Sequence, residues 1–307
     1  MQSFWHDYDS YLVLGAVLLC LVAYGRGLSA LRKRAGHHAK RPPPKGAFSE
    51  AELNRYARHI MLREIGGPGQ KRLKEAKVLV IGAGGLGAPA LLYLAASGVG
   101  LVGVVDDDIV EASNLQRQVI HTDDRIGVDK VRSAQLAMTA LNPFIEVRPY
   151  KRRLTVENAK ALLEDYDLIL DGSDNFATRY LINETAVLLK KPLISAAITQ
   201  WEGQISLYDP ARGGPCYACV FPTAPSPELV PNCAIAGVAA PLPGVVGAMM
   251  ATEAVKHLSQ AGQTLRGRLF IYDALYGQSR VIFLSPDSAC PVCRGAGPEI
   301  TLAQAHK

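Results

Sequence analysis

Four of the six cysteines stand in two pairs, Cys216-x-x-Cys219 and Cys290-x-x-Cys293. Four thiolates so spaced are the usual ligand set for a tetrahedral structural zinc ion. The distance between the pairs along the chain means that a shared ion would tie the end of the chain back to its body. Two disulfides are the alternative pairing. Cys233 stands apart, after a stretch at 221–232 rich in proline and polar residues, and reads either as an accessible nucleophile or as an inert thiol. Cys20 sits in an apolar run and carries no chemistry of its own.

A second group of residues is suited to phosphate. Gly82, Gly84 and Gly87 fit G-x-G-x-x-G, in which glycines let backbone approach a phosphate chain at a helix N-terminus. Tight packing alone is the other use of such glycines. Asp106 ends the next apolar run, where a carboxylate can accept from ribose hydroxyls. Beyond it come Ser113, Asn114, Leu115, Gln116 and Arg117, and then Lys130. Fixed cations beside a triphosphate polarise it for transfer at phosphorus, which a dehydrogenase does not need. A further run ends in Asp171-Gly172-Ser173-Asp174-Asn175. Asp174 is placed to hold Mg²⁺ against phosphate oxygens, or else to cap the helix that follows.

The elements needed to position these groups are legible in the apolar pattern. Strands are expected at 78–81 and 101–105, separated by the glycine turn and an uncharged helix at 88–97. A helix with Val131, Ala134, Met138 and Leu141 on one face follows, then a helix near 155–164 and a strand at 168–170. Further strands are expected at 193–196, 204–208, 269–272 and 281–284, with a long helix near 245–260. The predicted fold class is α/β, a Rossmann-like doubly wound and mostly parallel sheet with a structural zinc site. Before it, Ser49 and Glu52 fit a capping box, and Leu53, Tyr56, Ala57 and Ile60 form an apolar stripe that leaves Arg55, Arg58 and Arg63 on the solvated side.

Composition bounds the rest. The chain has 307 residues, 49% hydrophobic and 20% charged, enough for a sizeable core. Its net charge of +5 carries little implication for nucleic acid, because seven Lys or Arg fall between Arg26 and Lys45. The apolar run 11–25, extended to 8–31 if Arg26 snorkels, reads as an N-terminal transmembrane helix. The basic residues that follow it then place the bulk of the chain at the cytoplasmic face of the inner membrane, single-pass with the N-terminus outside. The expected organisation is an anchor over 1–31, a basic, proline-rich linker over 32–48 and a catalytic domain over 49–307.

Taken together, these motifs resemble the MoeB, ThiF and HesA family of ubiquitin-activating-like adenylyltransferases. The match spans about 49–295 and rests on RYARHIMLREIGGPGQ from Arg55, GAGGLG from Gly82, DDDIVEASNLQRQ from Asp106, GVDK ending at Lys130, DGSDN from Asp171, WEGQ from Trp201, both cysteine pairs and NCAIAGVAAP from Asn232. The resemblance implies ATP-dependent adenylation of the C-terminal glycine of a ubiquitin-like sulfur-carrier protein ending in Gly-Gly. It implies that Gly85 lies against the nucleotide, that Asp106 takes the ribose, and that the 113–117 run with Lys130 holds the phosphates. It assigns Asp174 to Mg²⁺, Asn175 to the nucleotide site, the four paired cysteines to Zn²⁺, and Arg58 to the ATP of the other subunit in a homodimer. Cys233 stands where some members form an acyl-sulfur link. The sulfur donor is expected to be a separate protein, and no nucleic acid is expected. The same chemistry on a tRNA-bound or peptide carboxylate, an NAD(P)-dependent oxidoreductase and a non-catalytic scaffold are the rival readings.

Overall fold

The computed structural model describes residues 19–20, 23–24, 48–225 and 237–294. The chain divides into a unit Met1–Ser49 and a unit Glu50–Lys307. In the first, Leu19, Cys20, Ala23 and Tyr24 are helical and exposed. The membrane anchor expected over 1–31, and with it the position at the inner membrane, is corrected. Among the described residues no helix is long and apolar enough to cross a membrane. The physical reason lies in length: the unbroken apolar run 11–25 has fifteen residues, equivalent to about 22 Å of helix, whereas a hydrocarbon core is about 30 Å thick. Most of the anchor, and all of the linker except Phe48, lie outside the described residues.

The second unit is an α/β fold. In chain order it contains α1 (Glu50–Ile60), α2 (Gly66–Glu75), β1 (Lys77–Ile81), α3 (Gly87–Ser97), β2 (Leu101–Asp106), α4 (Lys130–Leu141), β3 (Glu146–Lys151), α5 (Val156–Leu163), β4 (Leu168–Asp171), α6 (Phe176–Leu188), β5 (Leu193–Thr199), β6 (Glu202–Tyr208), α7 (Tyr217–Val220), α8 (Pro241–Ser259), β7 (Arg268–Asp273) and β8 (Gln278–Phe283). The strands form one sheet ordered β3-β2-β1-β4-β5-β6-β7-β8. The first five pair in parallel, and β5 to β8 pair antiparallel. Strands β1, β2 and β4 are almost wholly buried, as parallel strands covered on both faces must be. One apolar cluster packs α3, α4 and α8 on one face of the sheet, and a second packs α5 and α6 on the other.

Two elements depart from the apolar pattern. Strand β3 reads as charged sequence because only Val147 of Glu146–Lys151 is buried, and its Pro149 is tolerated at a sheet edge. Helix α2 begins at Gly66-Gly67-Pro68-Gly69, residues that normally break a helix, yet its Leu73 is fully buried. In α1 the buried positions are Glu52 and Tyr56, and Leu53 is exposed. Buried Glu52 accepts from Lys74 Nζ of α2 at 2.7 Å, so an ion pair, and not the expected apolar stripe alone, joins these helices.

The order of the strands reverses at β1, so chain leaves β1 and β4 in opposite directions and opens a crevice at their carboxyl ends. Gly82 there has φ +94°, and a Cβ on it would lie 2.8 Å from Gly172 O. A Cβ on Gly87 would lie 1.9 Å from Gly82 O. Backbone therefore packs directly on backbone. Gly87→Ala is expected to force this main chain apart, lowering stability by roughly 2–3 kcal/mol and abolishing nucleotide binding, as thermal melts with and without ATP will measure. Wild-type affinity in the variant would contradict this account of the turn.

Candidate functional site

The glycine turn is held in place by its neighbours. Asp106, at the end of β2, accepts from Ala83 N at 2.7 Å and from Asp108 N at 2.9 Å. Burial raises its pKa, while the two backbone donors and Lys130 oppose that rise. Each carboxylate oxygen has a second lone pair left for a ribose hydroxyl. Leu86, which precedes α3, gives no side-chain cap; Ala88 N donates to Gly84 O at 2.8 Å and Pro89 has no N–H, which leaves the Gly87 N–H of the first turn to meet an anion. Gly84 meets nothing nearer to a built Cβ than Gln118 Nε2 at 3.6 Å, and Gly85 lies beneath Pro243 and Arg117.

Two of the predicted cations, Arg117 and Lys130, lie near this turn. Arg117 donates to Ser113 O at 3.1 Å, which folds the 113–117 segment back on itself. Asn114 is buried and accepts from Glu111 N at 3.2 Å, fixing that segment, while Ser113 and Gln116 are exposed and Leu115 is half-buried. Lys130 opens α4 and is buried, with its Nζ 2.7 Å from the exposed carboxylate of Asp108. Asp106, Asp107 and Asp108 bring their carboxylates within 4.8 Å of one another. Two of these already face cations, Asp107 pairing with Arg153 and Asp108 with Lys130.

The other side of the crevice is organised by Asp171, which the sequence reading passed over. Its fully buried carboxylate accepts from Ser173 N at 2.9 Å, Ser173 Oγ at 2.5 Å and Ser195 Oγ at 2.7 Å. Arg179 Nε lies 3.1 Å away as an ion-pair contact, off the angle of a hydrogen bond. Arg179 Nη2 donates to Ser173 O and Ala196 O, and its guanidinium lies 5.8 Å from the centroid of Tyr217. Asp174 is exposed beyond this knot, and its hydrogen bond among the described residues is from Asn175 Nδ2 at 3.5 Å. The helix cap considered for Asp174 belongs to Asn175, whose Oδ1 accepts from Thr178 N at 2.9 Å.

Two further residues were assigned no role from the sequence. His121 is buried, with Nε2 3.0 Å from Ala83 O and Nδ1 2.9 Å from Ser133 Oγ. Burial lowers its pKa, and Lys130 and Arg125 add to that, so a neutral ring ties the glycine turn to α4. Gln118 is buried, with its Nε2 3.6 Å from a Cβ built on Gly84 and its Oε1 without a partner among the described residues. Arg58 is elsewhere: it is exposed on α1 and makes no hydrogen bond or ion pair among the described residues. Cys233 lies outside the described residues.

The cysteine pairs meet at a separate place. Cys216 immediately precedes α7, and its Sγ lies 3.8 Å from Cys219 Sγ and 3.6 Å from Cys290 Sγ, while Cys219 and Cys293 are 3.4 Å apart. An ion bound tetrahedrally at about 2.3 Å sets its sulfurs about 3.8 Å apart, so the four thiols fit such a centre. Burial, with the neighbouring thiols, pushes Cys216 up and Cys293 up to about 12. A dication offsets that penalty by favouring the thiolates.

Asp171→Asn tests the knot. It removes a buried charge and leaves Arg179 uncompensated, which typically costs about 3–5 kcal/mol. Urea melts are expected to register that loss, and the double variant Asp171→Asn/Arg179→Met to recover part of it. A melt unchanged by the single substitution would contradict the assigned role.

Comparison with known proteins bears on this geometry. The ThiF family pattern matches residues 56–292. The chain is 50% identical over 250 residues to the sulfur carrier protein adenylyltransferase of Thermus thermophilus, covering 80% of this chain and 92% of that protein. It is 48% identical to the SAMP-activating enzyme E1 of Haloferax volcanii, covering 82% and 92%. It is also 49% identical to the adenylyltransferase and sulfurtransferase MOCS3 of Anopheles gambiae, of which it spans 56%. Among solved structures, E. coli MccB with AMPCPP and MccA superposes with a TM-score of 0.70 at 24% identity, covering 78% of this chain and 74% of that one, a likeness of fold. With a family pattern matched through most of its length and half its residues shared across nearly all of a named relative, the chain belongs to the ThiF family.

Proposed function

We infer that this chain is an adenylyltransferase that activates the C-terminal glycine of a ubiquitin-like sulfur-carrier protein. The observation that carries the reading is the buried Lys130 close to Asp106 at the sheet's switch point, its ion-pair partner among the described residues being an exposed carboxylate that a phosphate can displace. Two relatives, 50% and 48% identical to it, are named as a sulfur carrier protein adenylyltransferase and a SAMP-activating enzyme. A carboxylate oxygen of the carrier attacks the α-phosphorus of ATP, the bond from that phosphorus to the bridging oxygen breaks, and pyrophosphate leaves. The product is a mixed anhydride. Arg117 and Lys130 offset the charge that builds on the phosphates, and Asp106 holds the ribose. A sulfur nucleophile then attacks the carbonyl carbon and AMP departs. The buried cations and the carboxylate at Asp174 are not needed for hydride transfer, which sets aside the oxidoreductase alternative.

Mg²⁺ is usually held by one or two carboxylates together with substrate phosphates, and exposed Asp174 at the crevice suits that role. Zn²⁺ in the four-cysteine cluster is structural on this reading, since the sulfurs fill all four positions and leave none for substrate. Arg58 serves the site of a second copy in a homodimer. In support, Tyr56 packs on Gly98 at the far end of α3, about 16 Å along that helix from Gly87, so Arg58 is remote from the crevice of its own chain. Cys233 acts, if covalently, only after adenylation.

Labelled pyrophosphate should exchange into ATP when the carrier is present. Lys130→Ala and Asp174→Ala should slow exchange by about 100-fold or more, and Cys233→Ala should leave it intact. Exchange that survives Lys130→Ala at the wild-type rate would refute the mechanism. Metal analysis should return one zinc ion per chain, lost in Cys290→Ser with a lowered melting temperature while ATP binding persists. A metal-free protein of full stability would refute the structural centre.

A further inference from the structure

A cavity of about 570 Å³ lies far from the crevice, lined by Arg212, Lys256, His257, Arg266, Arg268 and Phe283, with Gln260, Gln263 and Thr264 between them. Helix α8 separates the two places. Near its start Pro243 touches the glycine turn, and Lys256 lies thirteen residues further on, about 20 Å along the axis. The volume is of the scale that takes a nucleotide-sized ligand.

The charges here exceed what the fold requires. Asp209 is buried and faces Arg266 Nη2 at 3.0 Å and Arg212 Nε at 3.9 Å. Glu253 is buried, pairs with Lys256 and accepts from Leu265 N at 2.7 Å. Among the described residues two carboxylates thus answer four permanent cations, leaving an excess of two positive charges. The C-terminal dipole of α8 explains Lys256 and His257 in its last turn. It does not explain Arg212, Arg266 and Arg268, which two separate segments, 212 and 266–268, bring together. Arg266 Nε is buried without an acceptor, while Arg212 keeps 68% of its side chain exposed. His257 has its pKa lowered by burial and by Arg212 and Arg266, against Asp209. An anion in the cavity reverses that repulsion. Phe283, 83% exposed, supplies a flat apolar wall at the rim.

We propose that this cavity is a second binding site, outside the catalytic crevice, for a phosphate chain gripped by Arg212, Lys256 and Arg268. The chain belongs either to free pyrophosphate or to a nucleotide whose base lies on Phe283. Arginine and lysine together suit a multiply charged phosphate, and the open, polar lining suits a ligand that exchanges with solvent.

Calorimetric titration of the full chain with pyrophosphate, and separately with ATP, tests this. Wild type is expected to bind two equivalents of pyrophosphate. Arg212→Gln/Lys256→Gln should bind one, with the lost equivalent weakened at least about tenfold, and should keep its pyrophosphate exchange. Lys130→Ala, which alters the crevice, should retain the equivalent that the double variant loses, so this site is tested even if the crevice reading fails. The NMR titration of the His257 ring should move to higher pH when pyrophosphate is added to wild type and stay fixed in the double variant. Phe283→Ala weakening ATP alone identifies a nucleotide, and equal binding identifies the bare phosphate chain. A wild type whose binding is untouched by Arg212→Gln/Lys256→Gln, with a stationary His257, would overturn the proposal.

Discussion

The buried carboxylate of Asp171 is the constraint on which both ends of the molecule depend. It lies at the carboxyl end of β4 with no exposure, where an unpaired charge costs several kcal/mol. Three donors and the Arg179 guanidinium satisfy it. Each partner comes from a different place: Ser173 from the loop, Ser195 from β5, Arg179 from α6. Meeting the needs of one carboxylate therefore fixes the turn that presents Asp174, the pairing of β4 with β5 and the position of α6. The last of these reaches the cysteine cluster, because Asn183 on α6 accepts from Tyr217 N at 2.8 Å and its amide faces Cys216 Sγ at 3.9 Å.

Opposite Asp171, the crevice is shaped by the absence of side chains. The turn after β1 and the turn after β4 contact each other through Gly82, Gly87 and Gly172, with backbone atoms inside the distance a Cβ needs. Helix α8 closes over the same turn: a Cβ on Gly247 would lie 2.4 Å from Leu86 O. Rigid main chain, and not flexible side chains, thus sets the distance between the helix N-terminus and the exposed Asp174. That is the kind of preorganisation that electrostatic stabilisation of a transferring phosphoryl group requires.

Much of this was legible in the sequence, for physical reasons that differ by element. Strands β1, β2 and β4 are short unbroken apolar runs because both faces are buried, and the glycine turn is legible because close backbone approach excludes other residues. The cysteine pairs were legible because their spacing reflects the ligand geometry. What escaped was whatever depends on a distant partner. Strand β3 hides behind its solvated face, and α2 behind glycines whose helix is held by packing against α8. Asp171 and His121 are single polar residues whose partners, Arg179, Ser195, Ala83 and Ser133, are known only once the chain has folded. The apolar run at 11–25 misled in the opposite direction, because hydropathy without sufficient length does not make a span.

Lys130 shows how the fold keeps a charge available. A lysine this buried loses much of its hydration, and a buried partner would stabilise it at the expense of binding anything else. Its partner is instead Asp108, 64% exposed and flanked by two other carboxylates. Solvent access screens the attraction of Asp108 for the ammonium group, which leaves Asp108 the more easily displaced. A phosphate entering over the N-terminus of α3 meets a cation already desolvated, already aimed by the start of α4 and only loosely committed. Arg117, half-buried above Gly85, is anchored through Ser113 O, a neutral carbonyl, and has no carboxylate partner among the described residues. The two cations differ in burial and in chemistry, yet each is oriented without being neutralised, which is the condition for their charge to act on a ligand.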